Sequence, residues 1–416
     1  MIKNKFIGLG LLLCCTPLFA ADWPQWRGPN LNGATDEKNL SAQLDPAKNL
    51  KWSVELPGPS AGTPIVFGDK IFLPSLNNKD KTLLALCLNR ADGKEIWRRE
   101  IGPVLASSDR SDLAAPSPVT DGKTVIFLYG SGDVAAFDLA GKPLWQRNLQ
   151  KEYGEFFVNF LYGASGVLLG EKYIVPVLHR GTESYLIALN TATGKDIWRV
   201  IRPTGAKDET KEAYTTPIPV TYDGKTEIAL VGGDAVTGHE LETGKELWRV
   251  EGWNPTRIGH WRIVPTPTQI GDLLVICPPK GGATFAIKPG VSGDNDKWTW
   301  RNPQLTSDVC TPLYYNNQLY ILDGDKKRLS CADPKTGEVK WTHELGGRPV
   351  FRASPTGADG KIYCMNEGGE VWVLSADEPK TLHQVSLEGP RSRATIVVAQ
   401  GNIFVRTSEK LFCFQN

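Results

Sequence analysis

The chain has 416 residues, 41% of them apolar, with Lys+Arg 47 against Asp+Glu 46. Such a balance excludes a protein held on nucleic acid by bulk charge, which needs a basic excess or stripe. With five histidines and no His-x-x-x-His, Cys-x-x-Cys or Gly-x-Ser-x-Gly element, no metal centre or catalytic triad is written in the sequence.

The first residues read as a targeting segment. Lys3 and Lys5 form a basic start, and residues 6–15 are an apolar run too short to span a bilayer. Small residues then allow cleavage after Ala20 or Ala21, so residues 1–21 are expected to be a signal peptide. A lipid anchor would use Cys14 or Cys15, but Leu13 and Cys14 stand where lipoprotein processing favours Gly, Ala or Ser. Soluble export to the periplasm or medium is therefore expected, and no later stretch is apolar enough to cross a membrane.

Residues 22–48 precede the first strand and contain WPQWRGPN (23–30). Exposed paired indoles are costly, so this extension is expected to pack on the rest of the protein with both tryptophans buried.

From residue 49 onward one short signature recurs. GKEIW (93–97), GKPLW (141–145), GKDIW (194–198), GKELW (244–248) and GEVKW (337–341) are clear copies. NLKW supplies Trp52, KWTW supplies Trp300, and KTLH puts His383 in the tryptophan slot. From Trp52 to His383 the intervals are 45, 48, 53, 50, 52, 41 and 42 residues. Each period holds four short segments rich in Tyr, Leu, Val and Ile, separated by Asn, Asp and Gly turns. DGDKK (323–327) and GDND (293–296) read as such turns rather than Ca²⁺ loops.

A repeat of this size is one four-stranded unit that cannot bury its faces alone. The last period stops after three strands, and the first is preceded by an orphan outer strand carrying Trp52. Pairing these two closes a ring and removes the free edges. The fold class is therefore all-β, an eight-bladed β-propeller over residues 49–416. Trp52, Trp97, Trp145, Trp198, Trp248, Trp300 and Trp341 are assigned to docking each blade on the next, each indole burying roughly 200 Å².

Beyond the leader six cysteines remain. Aligned on the repeat, Cys87, Ala136, Ala188, Gly238, Ala286, Cys331, Val373 and Cys413 share one position. A slot that takes Ala, Gly and Cys alike is a tight packing site, so its cysteines should be free. A Cys277–Cys310 bridge stays open, and Cys364 is unassigned.

Since the repeats are architecture, function belongs where they differ, at residues leading into the central channel. The candidates are Asp112, Asn159, Tyr214, His260, Trp261, Arg262, Asp308, Arg352 and Arg393. FRASP and SRATI place Arg352 and Arg393 at one register of neighbouring blades, where they would clamp an anion or be neutralised by Asp112 or Asp308. His260, Trp261 and Arg262 would add an aromatic face for a sugar or a flat cofactor, or else an aromatic plug packing the mouth. His179, His239, His343 and His383 read as structural or exposed.

The GKxxW copies, preceded by ALN or AFD and followed by Thr-Pro or Ser-Pro strand starts, resemble the pyrroloquinoline-quinone-like (PQQ-like) repeat family of β-propellers. This resemblance implies one of two roles. Quinoprotein alcohol dehydrogenases use the quinone and Ca²⁺ on the ring axis, beneath an adjacent Cys–Cys disulfide. A non-catalytic class includes the accessory lipoprotein of the outer-membrane barrel-assembly machinery, a docking scaffold. The adjacent cysteines of this chain, Cys14 and Cys15, lie in the leader, so neither quinone nor Ca²⁺ is expected. The reading is an exported, monomeric, non-catalytic propeller that binds an envelope or secreted protein partner, not nucleic acid, with a small anionic or sugar ligand in the channel. The alternative is a periplasmic PQQ-dependent alcohol or sugar dehydrogenase.

Overall fold

The computed structural model describes residues 21–181, 183–387 and 391–416. The expected leader, including Cys14 and Cys15, lies outside these apart from Ala21. Among the described residues there are eight four-stranded antiparallel sheets, each running from an inner to an outer strand. Seven are built from consecutive strands. The eighth orders Leu50–Glu55 beside Lys410–Phe414, Asn402–Arg406 and Val397–Ala399. The N-terminal strand thus completes the last blade, with Trp52 opposite Cys413, as the complementary termini require.

Five of the seven tryptophans clamp neighbouring blades alike. The indole N–H of Trp52, Trp97, Trp145, Trp198 and Trp300 donates to the carbonyls of Arg90, Leu139, Thr191, Leu241 and Pro334, each in the next blade's last turn. That turn needs glycine for two reasons, as Gly93 shows. Its φ is +73°, and a Cβ there would lie 2.7 Å from the Trp52 ring. Trp341 is half-buried against Tyr320, with ring centroids 6.0 Å apart.

Trp248 departs from the pattern. Its N–H turns inward to the Glu227 carboxylate of its own blade, 2.7 Å away. The cause is Gly238, its partner across the strands, where a Cβ would sit 1.9 Å from the indole. With no side chain at 238 the ring drops into the blade.

The small-residue slot has the same origin. Cys87, Ala136, Ala188, Gly238, Ala286, Cys331, Val373 and Cys413 each face the Trp or His383 slot of the outer strand, beside a register shift in every blade. All six described cysteines are free and buried, so Cys277 and Cys310 form no bridge.

Blades 3 and 4 are also stitched by Arg202, which is fully buried. It donates to Thr237 Oγ1 and to the carbonyls of Gly232 and Ala235. His239 touches the same Thr237 hydroxyl at 2.9 Å and is 1% exposed. Burial pulls its pKa down to about 4. Below about pH 6.5 the unfolded chain takes up a proton that folded His239 refuses, so stability falls as pH drops from 6.5 to 4. Asp234, which burial raises to about 6, acts with the opposite sign as pH rises toward 6. The readout is therefore a difference: His239→Gln should lose about 2 kcal/mol less than wild type between pH 7 and pH 4 in urea titrations. Parallel curves for the two proteins would refute this role.

The extension circles the ring on the face formed by the inner-strand hairpins. Trp23 is fully buried and pairs by backbone with Val66 of blade 1. The Pro24 carbonyl takes the N–H of Thr120 in blade 2, and Leu31 packs in the core shared by blades 3 to 5. Ala34 pairs with Gly357 of blade 7, and Leu40 and Leu44 enter the core of blades 7 and 8. Arg27 is fully buried and donates to the carbonyls of Pro312 and Pro355 at 2.7 Å each, and to Asn32. With no carboxylate beside it, burial pushes its pKa down to about 9. One indole of the WPQWRGPN segment differs from expectation: Trp26 is only half-buried and turns into the channel.

Candidate functional site

Two residues before each inner strand stands a Ser or Thr in all eight blades: Thr63, Ser117, Ser165, Thr216, Thr266, Thr311, Ser354 and Thr395. Their hydroxyls form a belt around the axis. At six of the eight junctions the backbone N–H of one donates to the hydroxyl of the next, at 2.9–3.1 Å. Proline after most of them has no N–H to satisfy where the strand faces the channel. The Ser/Thr-Pro steps are therefore both strand starts and the girdle that fixes the channel's bore.

Above this belt lies a cavity of about 520 Å³, to which all eight blades contribute. Trp26 is the N-terminal extension's contribution to the lining; the rest comes from the strand starts, the loops leading into them, and Lys280 and Glu367 of two middle hairpins. The channel is therefore a cup, floored by Trp26 and open at the opposite face.

Its wall is mainly basic. Arg110, Arg262, Lys280, Arg352 and Arg393 line it, against the carboxylates Asp308 and Glu367. The two matched arginines are paired, but not with the carboxylates expected. Arg352 bonds Asp325 at 2.8 Å, and Arg393 bonds Glu367 at 2.6 Å. Each acid lies on the middle hairpin of the preceding blade, so the ion pair repeats with the fold. Asp308 instead accepts the Lys280 backbone N–H. Asp112 is absent from the lining. Its carboxylate accepts the N–H groups of Ala61 and Ala114, and burial raises its pKa against the opposing charge of Arg406.

Of the aromatic-basic triplet only Arg262 lines the cup, paired with Glu209. Gly259 and His260 form a turn bonded to Thr210, and beyond it the Trp261 N–H bond to Thr210 and the bridge Ala213–Ile263 hold the chain extended. Successive side chains then point to opposite sides. Arg262 and Val264 face in, Ile263 is buried in the blade, His260 is exposed and Trp261 is half-buried outside the cavity.

The aromatic wall is Phe160, which lies between two guanidinium groups, Arg262 at 4.4 Å and Arg110 at 5.1 Å from its centroid. Its loop is pinned by Glu212, fully buried, which accepts the Asn159 N–H and the Tyr214 hydroxyl and pairs with Arg180 at 2.6 Å. Burial raises the Glu212 pKa. Tyr214 itself lines the cup. Sequence reasoning missed Arg110, Phe160 and Lys280 because each sits in a connection with no repeat register, and Glu367 because it lies on a middle hairpin rather than before an inner strand. Trp26 was visible, and its sequence partner in the WPQWRGPN motif, Trp23, is the one that is buried.

A family model of PQQ-like repeats, described as outer membrane protein assembly factor BamB, matches residues 30–157 and 285–415, more than half of the chain. The chain belongs to the PQQ-like β-propeller family. Among curated relatives, a polyvinylalcohol dehydrogenase from Pseudomonas sp is 23% identical over 86% of this chain. The chain spans only 60% of that relative's length. BamB from Moraxella catarrhalis superposes with a TM-score of 0.62 at 14% identity, covering 88% of this chain and 98% of that one. A europium-containing methanol dehydrogenase gives 0.69 at 11% identity, covering 95% and 98%. At these identities the structures attest the fold alone.

A quinone cofactor with Ca²⁺ is what one branch of PQQ-like propellers implies, and the cup's donors do not fit the metal. Ca²⁺ takes six to eight oxygens. Of the two lining carboxylates, Asp308 accepts the Lys280 backbone N–H and Glu367 pairs with Arg393, and no three His, Cys, Asp or Glu side chains converge among the described residues.

Proposed function

We propose that this PQQ-like propeller is a non-catalytic binding protein of the cell envelope whose axial cup takes a small anionic ligand. The observation that carries this reading is the wall itself: five cationic side chains against two carboxylates, around a hydroxyl belt and over the Trp26 face. Arg110 and Lys280 stand at the mouth with no ion pair among the described residues. They are available to an incoming anion, while Arg352 and Arg393 are held rigid by Asp325 and Glu367. The match to a BamB family description supports a scaffold role beside a protein partner, and the leader-like N-terminal sequence supports export. Among the described residues no helix is long and apolar enough to cross a membrane.

Calorimetric titration with dicarboxylates, phosphate, sulfate and uronic acids tests the ligand. Arg352→Ala with Arg393→Ala should weaken binding of the best anion about tenfold or more. Unchanged affinity in that double variant, or no binding by any anion, would sink the cup reading. Recovery of bound quinone after incubation with PQQ and Ca²⁺ would instead favour the dehydrogenase reading.

A further inference from the structure

The first described residues lie across the seam where the ring closes. The Asp22 carboxylate accepts the Gly68 N–H in the inner hairpin of blade 1 and bonds the Gln400 side-chain amide of blade 8. Ala21, one residue earlier, directs its backbone nitrogen at Glu37 Oε1, 2.5 Å away. Its carbonyl takes the Gln400 N–H.

Glu37 sits in a built site. It is 7% exposed and belongs to the extension that plugs the ring. Gln400 and Gly401 form the two-residue turn of the blade 8 hairpin, both with positive φ. Their N–H groups converge on the carboxylate, Gln400 on Oε1 at 3.1 Å and Gly401 on Oε2 at 2.9 Å. Successive N–H groups of this kind cradle an anion. Yet among the described residues no basic side chain pairs with Glu37. A buried carboxylate held only by neutral donors lacks the cation that would offset its desolvation.

We infer that cleavage falls between Ala20 and Ala21, and that Glu37 is the receptor for the α-ammonium group so released. Hydrolysis of that peptide bond turns the Ala21 nitrogen from a neutral amide donor into a cation at the position already aimed at Glu37. The mature terminus then latches the plug to blade 8 beside the ring closure. Cleavage after Ala21 would remove both the nitrogen facing Glu37 and the carbonyl bonded to Gln400. The inference rests on the chain being exported, and the test separates the two.

The full-length chain is expressed in a secreting bacterial host, and the envelope fraction is analysed by intact mass and N-terminal sequencing. Chains beginning at Ala21 are expected. Exported chains beginning at Asp22, or retaining Ala20, overturn the assignment, whereas a chain found only in the cytoplasm defeats export and leaves the latch to the second measurement. For that, protein beginning at Ala21 is prepared by proteolytic removal of a fusion partner, with its terminus free or acetylated. Acetylation should lower Tm by about 2 °C or more in wild type and by nothing in Glu37→Gln. An equal effect of acetylation in both proteins, or none in wild type, refutes the latch.

Discussion

Arg27→Ala should destabilise the protein by about 3 kcal/mol and free the plug from the ring. Arg27 ties the extension to blades 6 and 7 at once, through the Pro312 and Pro355 carbonyls. Its truncation leaves those acceptors and the Asn32 carbonyl without their donor in a fully buried site. Charged hydrogen bonds are worth roughly 1.5–3 kcal/mol each, but relief of the guanidinium's own burial returns part of that. Lysine should recover little, because one ammonium cannot reproduce a fork that reaches two blades. The measurements are urea midpoints and the rate of trypsin cleavage at Lys38 and Lys48. An unchanged midpoint with unchanged protection would mean the plug is held by Trp23, Leu31 and Leu40 alone.

Gly238→Ala should cost about 2–3 kcal/mol, although alanine occupies the matching position of three other blades. Those blades hold their tryptophan outward, over the next blade's turn. In blade 4 the indole fills the volume a Cβ would need, and its N–H is tied to Glu227, which is itself buried. The added methyl must break that bond or shift the outer strand. Trp248→Phe in the alanine background should regain part of the loss, because the shorter ring clears the methyl and the Glu227 bond is already gone. Ala188→Gly, the reverse exchange opposite Trp198, should cost about 1 kcal/mol or less. Equal stability of Gly238→Ala and wild type would contradict the steric account.

Much of the fold was legible because a propeller writes its architecture many times. Spacing of the tryptophan slot counted the blades, and unequal strand numbers at the two ends showed how they close. The cysteine reading worked for the same reason: one slot sampled eight times shows what its volume admits. Trp248 escaped this logic, since its behaviour depends on a pair of residues rather than on its own slot.

The cup was legible only in part. Tyr214, Arg262, Asp308, Arg352 and Arg393 were found by their place before the inner strands, and they do line the cavity. His260 and Trp261 were drawn in by adjacency, but His260 lies in a turn and the extended chain after it sends Trp261 and Arg262 to opposite sides. Arg110, Phe160 and Lys280 come from loops whose ends are set by the ring and whose sequences obey no period.

Local composition and periodicity were enough to specify an eight-bladed ring, because every blade must solve the same packing problem with the same few residue types. Which side chains meet on the axis is a different kind of fact. The floor of the cup is Trp26, and two of its arginines are partnered across blades, Arg352 with Asp325 and Arg393 with Glu367. Those contacts join residues from Trp26 to Arg393 in the chain, and only closure of the ring puts them within reach.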